Sequence, residues 1–233
     1  MRKTVQTFFI GALSLASSLA LAATPAHLYD LNNSLADTMG GPALVDFGGS
    51  LTASTYQFAA NEGLSLSGVL GSVYTIDTVV SLDAVDGYRK LVDFKTRTSD
   101  DGFYVLSGNL NFYPVDTGTA VINAGQWAQL TLTRDAAGLT SGYVNGVQQW
   151  QFNDSDTARA TFSEPSGIAH FFMDDLAVPG EASGGRVDYI AIYDTALSAA
   201  EVSQITTVPE PESYALMLAG LAGLGWWAKR RKH

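Results

Sequence analysis

An all-β domain, a sandwich or jelly roll of antiparallel strands with one short C-terminal helix, is the fold this 233-residue sequence predicts. Three observations predict it. Apolar residues recur at every second position through short runs, the pattern of strands with one buried face. Asp-Gly, Ser-Gly and Asn-Gly dipeptides separate those runs, as hairpin turns require. No long stretch of 3.6-residue periodicity interrupts them between His27 and Tyr193. Several such strands in succession fit one sandwich. With 46% apolar and 15% charged residues the chain lies far from the disordered compositions and can close a core.

Taken in order, residues 1–22 read as a secretory signal peptide. Arg2 and Lys3 start it, an apolar and small-residue run extends from Thr7 to Leu21, and Ala20-Leu21-Ala22 offers a small-x-small cleavage site. A retained membrane anchor is the alternative, and the shortness of the run speaks against it. The folded domain spans residues 23–207. Tyr74, Ile76, Thr78, Val80 and Leu82 alternate with Thr75, Asp77 and Ser81 on the other face. Similar runs cover Lys90–Lys95, Phe103–Leu106, Leu110–Tyr113, Ala128–Thr133, Gln149–Phe152, Ile168–Met173 and Val187–Tyr193. Asn145-Gly146 suits a type I′ turn, since both central residues need positive φ. Trp127 opens a strand and is expected to anchor its sheet. On the last strand Ile190 and Ile192 share a face, with Asp188 at its start, and Tyr189 and Tyr193 take the other. Ser198 and Glu201 form a capping box, with Leu197 and Val202 as its hydrophobic staple. A helix from about Ala199 to Ile205 follows.

The remaining segment, 208–233, has three parts: Val208-Pro209-Glu210-Pro211, an apolar stretch from about Ser213 to Ala228, and the cluster Lys229-Arg230-Arg231-Lys232. As a helix the stretch would span ~24 Å, slightly short of a ~30 Å hydrocarbon core, with Trp226 and Trp227 at the interface and the basic cluster on the cytoplasmic side. The order of these parts resembles the PEP-CTERM sorting signal of exopolysaccharide-producing Gram-negative bacteria. That resemblance implies recognition by an exosortase, cleavage near Pro209-Glu210-Pro211, and a route through the inner membrane. A transient C-terminal membrane anchor then gives way to the cell surface or extracellular matrix.

Two segments of the domain carry a second resemblance. One is Gly125-Gln126-Trp127, Leu130-x-Leu132-Thr133-Arg134-Asp135, Gly138 and Tyr143-Val144-Asn145-Gly146. The other runs from Gly185-x-Val187-Asp188 through Ile192-Tyr193-Asp194 to Ala196-Leu197-Ser198-x-x-Glu201. Together they are similar to laminin-G-like domains, which implies a concanavalin-like jelly roll of two sheets packed face to face.

Chemistry is sparse. The absence of cysteine excludes disulfides, thiolate metal sites and thiol nucleophiles. Between residues 23 and 208 the glutamates are Glu62, Glu164, Glu181 and Glu201. None has the one-strand spacing of the carboxylate sets in related jelly-roll hydrolases, so catalysis is not expected. His27 and His170 read as structural. Asp174-Asp175, at the end of an apolar strand, lead into a loop holding Gly180 and Glu181. Calcium takes hard oxygen ligands of this kind, so Asp174, Asp175 and Glu181 are the candidate calcium ligands, with a solvated acidic turn as the alternative. Asn153-Asp154-Ser155-Asp156 begins like an EF-hand loop but lacks its glycine and its final glutamate.

Charge decides which partners fit. Without both ends, seven basic residues face twenty-one acidic ones, a net −14 against −10 for the whole chain. Nucleic acid is excluded, and dense polyanions need a bridging metal ion. The reading that results is a non-catalytic exported module that binds carbohydrate or exopolysaccharide and is sorted by an exosortase. A protein-binding adhesion module is the first alternative, and a glycan hydrolase or lyase the second.

Overall fold

The computed structural model describes residues 23–163 and 167–205. The signal peptide, the Pro209-Glu210-Pro211 motif and the apolar C-terminal stretch lie outside them. Among the described residues no helix is long and apolar enough to cross a membrane.

Strands are numbered in chain order. The first sheet runs β13 (Val147–Asn153), β12 (Leu139–Val144), β11 (Ala128–Arg134), β6 (Tyr74–Leu82), β15 (Gly185–Tyr193), β4 (Tyr56–Phe58) and β3 (Ser50–Leu51). Strand β1 (His27–Tyr29) pairs with the C-terminal half of β15. The second sheet runs β10 (Asp116–Val121), β9 (Asn109–Tyr113), β8 (Gly102–Leu106), β7 (Tyr88–Asp93), β14 (Ala169–Phe171), β5 (Leu64–Leu66) and β2 (Val45–Asp46). All pairings are antiparallel, and neither sheet closes on itself. This is the expected jelly-roll sandwich.

Alternation builds the core. Tyr74, Ile76, Val80 and Leu82 of β6 and Val187, Ile190 and Ile192 of β15 point inward. They meet Phe103, Val105, Leu110, Phe112 and Phe171 of the second sheet in one buried cluster. A bulge between Val187 and Tyr189 resets the parity of β15. Val187 and Ile190 therefore both face the core, and Asp188 is half-buried outside the regular alternation instead of sharing the Ile190 face.

Trp150 ties the two sheets together. Its indole N–H donates to the Leu110 carbonyl at 3.2 Å across the sandwich. Phe103 and Phe112 meet its ring edge-on, each at 6.0 Å. The ring lies over Gly142, its register partner on β12, where a Cβ would fall 2.3 Å from the indole.

The turns behave as their dipeptides predict. Asn145 and Gly146 sit at φ 48° and 77°, and Ser107 and Gly108 at 48° and 82°. Helix α1 (Ala199–Ile205) packs Val202 and Ile205 against Leu197, Tyr143, Ala191 and Tyr193 on the outer face of the first sheet. The capping box is complete: Ser198 N–H donates to Glu201 Oε2 at 2.8 Å, and Glu201 N–H to Ser198 Oγ at 3.3 Å.

Three further expectations need correction. The Lys90–Lys95 run ends at Asp93, because its carboxylate accepts the N–H groups of Lys95 and Arg97 at 3.1 and 2.7 Å and turns the chain. The Ile168–Met173 run shortens to Ala169–Phe171, because Phe172 takes φ 62° and gives its N–H to the Leu91 carbonyl. Trp127 is not a core anchor; it is 43% exposed.

Replacing Trp150 by Ala should cost about 3–5 kcal/mol, and Gly142→Ala about 1–3 kcal/mol through overpacking against the ring. In the Trp150→Ala background Gly142→Ala should become nearly neutral. Chemical denaturation of the four proteins measures this, and full additivity would contradict the contact.

Candidate functional site

Register between β7 and β8 sets Lys90 opposite Tyr104 on the outer face of the second sheet. Two loops close over this pair: residues 94–101, and the connection 172–184 from β14 to β15. Lys90 is fully buried beneath them. Its ammonium bonds to the Asp175 carboxylate, stands 3.8 Å from Asp93 Oδ2, and lies 4.7 Å from the centre of the Tyr104 ring. The Tyr104 hydroxyl is shared between the Asp100 carbonyl at 3.0 Å, Asp100 Oδ1 at 3.2 Å and Asp175 Oδ2 at 3.4 Å. Around this centre Asp100, Asp175 and Glu181 each offer a carboxylate oxygen, all within 4.8 Å of one another.

The three carboxyls differ in their electrostatics. Burial pushes Asp175 up, but the Lys90 ammonium and the N–H groups of Val178 and Ala177 outweigh it and hold the carboxyl below its ordinary range. Burial, together with the charge of Asp175, raises Asp100. Glu181 is pushed up to about 7, first by burial and then by Asp100 and Asp174. Its Oε2 is buried without a hydrogen-bond partner. One ammonium does not neutralise three crowded carboxylates, and hard oxygen donors in this arrangement can hold a metal ion.

Two of the three expected ligands, Asp175 and Glu181, therefore meet. Asp174 does something else: its carboxylate accepts the N–H groups of Gly180, Glu181 and Asp175 at 2.7, 2.6 and 3.0 Å. It shapes the loop that presents Glu181, and Asp100 stands in its place in the cluster. Asp100 and Lys90 were missed because neither carries a local ligand pattern; only the folding of loop 94–101 over β7 unites them. Asp154, from the discounted EF-hand-like stretch, is buried and paired with Arg134 at 3.0 Å. Of the two histidines, His27 is bonded to Asp37 at 2.6 Å. His170 has a buried Nδ1 without a hydrogen-bond partner, and burial and Arg97 push its ring down to about 4.

A second locus lies on the outer face of the first sheet. Ser50, Gln57, Arg186 and Ser81 are register partners in sequence across β3, β4, β15 and β6, forming a polar row. Trp127, one residue before the Ala128–Val80 pair, lies level with Ser81 and extends the row. Because Ser81 is small, the Arg186 guanidinium reaches over the Trp127 ring, 4.9 Å from its centre. Gly125, at φ 72°, donates its N–H to the Leu82 carbonyl and turns the chain into Trp127. Ser50, Gln57, Ser81 and Arg186 line an open groove of about 640 Å³ bordered by Gly49, Gly125, Glu62 and Asp83, and Trp127 meets it through Arg186. The loop that carries Asp175 and Glu181 runs directly into Arg186.

A family model described as the concanavalin A-like lectin/glucanases superfamily, of laminin-G type, matches residues 64–203, and the chain belongs to that superfamily. Its C-terminus, residues 207–232, matches the PEP-CTERM protein-sorting motif, which implies export and a transient C-terminal membrane anchor before processing. No curated protein matches the chain. Among solved structures it is similar to domain 4 of AbnA, a GH43 extracellular arabinanase from Geobacillus stearothermophilus solved with arabinotriose. The TM-score is 0.64 and identity 18%, over 80% of this chain and all of that one. It is also similar to the Trypanosoma rangeli sialidase solved with 2,3-difluorosialic acid, at TM-score 0.66 and 12% identity. That match covers 82% of this chain but 34% of the sialidase. The binding domain of botulinum neurotoxin serotype D matches at TM-score 0.56 and 11% identity, over 77% of this chain and 50% of its own. At these identities the likeness is one of fold, and glycosidases and binding domains share it.

Two outcomes follow from the cluster. Glu181 binds its proton more tightly folded than unfolded. Its stabilising contribution is therefore full below the unfolded value of 4.5 and lost as pH rises through about 7. In a metal chelator, denaturation midpoints of the native protein should fall across that window more steeply than those of Glu181→Gln; equal slopes would contradict the assignment. Lys90→Ala leaves Asp175 buried and unpaired and should cost about 3–5 kcal/mol in chemical denaturation.

Proposed function

We propose that this protein is a non-catalytic exported module that binds carbohydrate, in its native setting an exopolysaccharide, at the groove of the first sheet. The observation that carries this reading is the exposed pair of Trp127 and Arg186, the guanidinium over the indole, continued along the row by the exposed Gln57 and Ser50. Folding alone has no use for an exposed indole and an uncommitted guanidinium, whereas a sugar ring stacks on the first and hydrogen-bonds to the second and its neighbours. Residues 1–22 act as the signal peptide, 23–207 as the binding domain and 208–233 as the sorting segment. An exosortase recognises Pro209-Glu210-Pro211, after which the domain resides at the cell surface or in the matrix. The state of the acidic cluster supports the absence of catalysis. Asp175 is buried and held by Lys90, so it is closed to the glycosidic bond that a pair of catalytic carboxyls would have to flank.

In the same reading calcium occupies the acidic cluster through Asp100, Asp175 and Glu181, while Asp174 holds the loop in shape. Bound there, it braces the loop that leads into Arg186. A protein-binding adhesion role is the competing reading, favoured by Leu176 and Val178, which stand 72% and 45% exposed on that loop.

Calcium at 100 times its Kd should raise stability by about 2.7 kcal/mol over a chelator control. Identical melting with and without calcium would remove calcium from the account. A glycan array should show binding, and Trp127→Ala should weaken it about tenfold, or 1.4 kcal/mol. An array without any glycan signal, alongside protein ligands that bind, would favour the adhesion role instead.

A further inference from the structure

The seven basic side chains of the domain are not equivalent. Arg89 pairs with Asp86, Lys90 with Asp175, Arg134 with Asp154, and Arg159 with Asp101. Lys95 is bonded to the carbonyls of Ala158 and Thr161, and Arg97 to that of Asp174. Arg186 is the exception. Its guanidinium makes no hydrogen bond or ion pair with another described residue and meets the face of Trp127. Glu62 and Asp83 border the same groove, yet neither comes within ion-pair distance of it. In a domain of net charge −14, where carboxylates outnumber cations three to one, an exposed guanidinium without a carboxylate partner among the described residues is available to the carboxylate of a ligand.

Building on the carbohydrate reading, we infer that the groove selects glycans carrying isolated carboxylates, a uronic acid residue within an otherwise neutral chain, with Arg186 as the carboxylate's partner. A guanidinium accepts a carboxylate through two parallel N–H donors, and stacking on Trp127 holds its plane for that contact. Gln57 and Ser50, both exposed, extend the row on which neighbouring sugar hydroxyls are bonded. Glu62 and Asp83 add acceptors for those hydroxyls and, with the overall negative charge, turn away densely charged polymers. One carboxylate among neutral sugars meets the Arg186 guanidinium without gathering that repulsion.

The test uses the full chain purified in detergent and titrated calorimetrically with short xylo-, gluco- and galacto-oligosaccharides bearing one glucuronate. Each is compared with its carboxyl-reduced counterpart, in which the carboxylate has become a hydroxymethyl group. At least one acidic form should bind about tenfold or more tighter than its reduced form, the scale of a charge-assisted contact. Arg186→Gln should erase that difference by bringing the acidic form to the affinity of the reduced one, with an unchanged melting temperature. Arg186→Lys should restore part of it. Equal affinity for acidic and reduced forms, retention of the difference in Arg186→Gln, or no binding of any acidic form would overturn the inference. In each of these cases a glycan array that still gives signal leaves the wider carbohydrate reading standing, and a silent array removes both.

Discussion

The pairing of β6 with β15 is the constraint on which the rest depends. Each is nine residues long, and together they run through the centre of the first sheet. Their inner faces supply Ile76, Val80, Val187, Ile190 and Ile192 to the core. Their outer faces are polar, and their register decides which polar groups meet. At one end Asp77 is buried and accepts hydrogen bonds from Thr131, Gln129 and Tyr189 at 2.5, 3.0 and 2.6 Å. Burial raises its carboxyl above the ordinary range despite those three bonds. At the other end the same register aligns Arg186 with Ser81 and brings it to Trp127. A slip of one residue would turn the core outward and scatter the groove together.

Between the two ends the bulge at Asp188 lets one strand serve both. Without it, alternation carried from Ile190 back along β15 would bring Arg186 to the core face. With it, Val187 stays in the core and Arg186 faces solvent beside Gln57. The polar row is in that sense a product of one irregularity.

Electrostatics divide the molecule further. Most cations of the domain are consumed in fixing loops: Arg134 holds Asp154, Arg159 holds Asp101, and Lys90 holds Asp175 beneath two crossing loops. A buried ion pair so placed adds little net stability, but removing one partner strands the other charge in the interior. The acidic cluster around it is left with more carboxylate than cation, and burial, reinforced by the charges of Asp100 and Asp174, lets Glu181 hold its proton up to about 7.

The sequence by itself determined the strands that alternate, the Asn145-Gly146 and Ser107-Gly108 turns, the capped helix and the sorting segment, because each is encoded by residues close in the chain. It also pointed to Asp175 and Glu181, since loop composition is local. The two- and three-residue strands β1 to β5 were illegible, as no period can show in so few residues. Trp127 read as a core anchor because a tryptophan opening a strand is usually buried; the turn at Gly125 instead places it at the solvent end of the row. Asp100 beside Asp175, Lys90 beneath both, and Arg186 over Trp127 were decided by tertiary structure alone. Each joins segments tens of residues apart, through strand register and loop crossing that no local pattern of residues encodes.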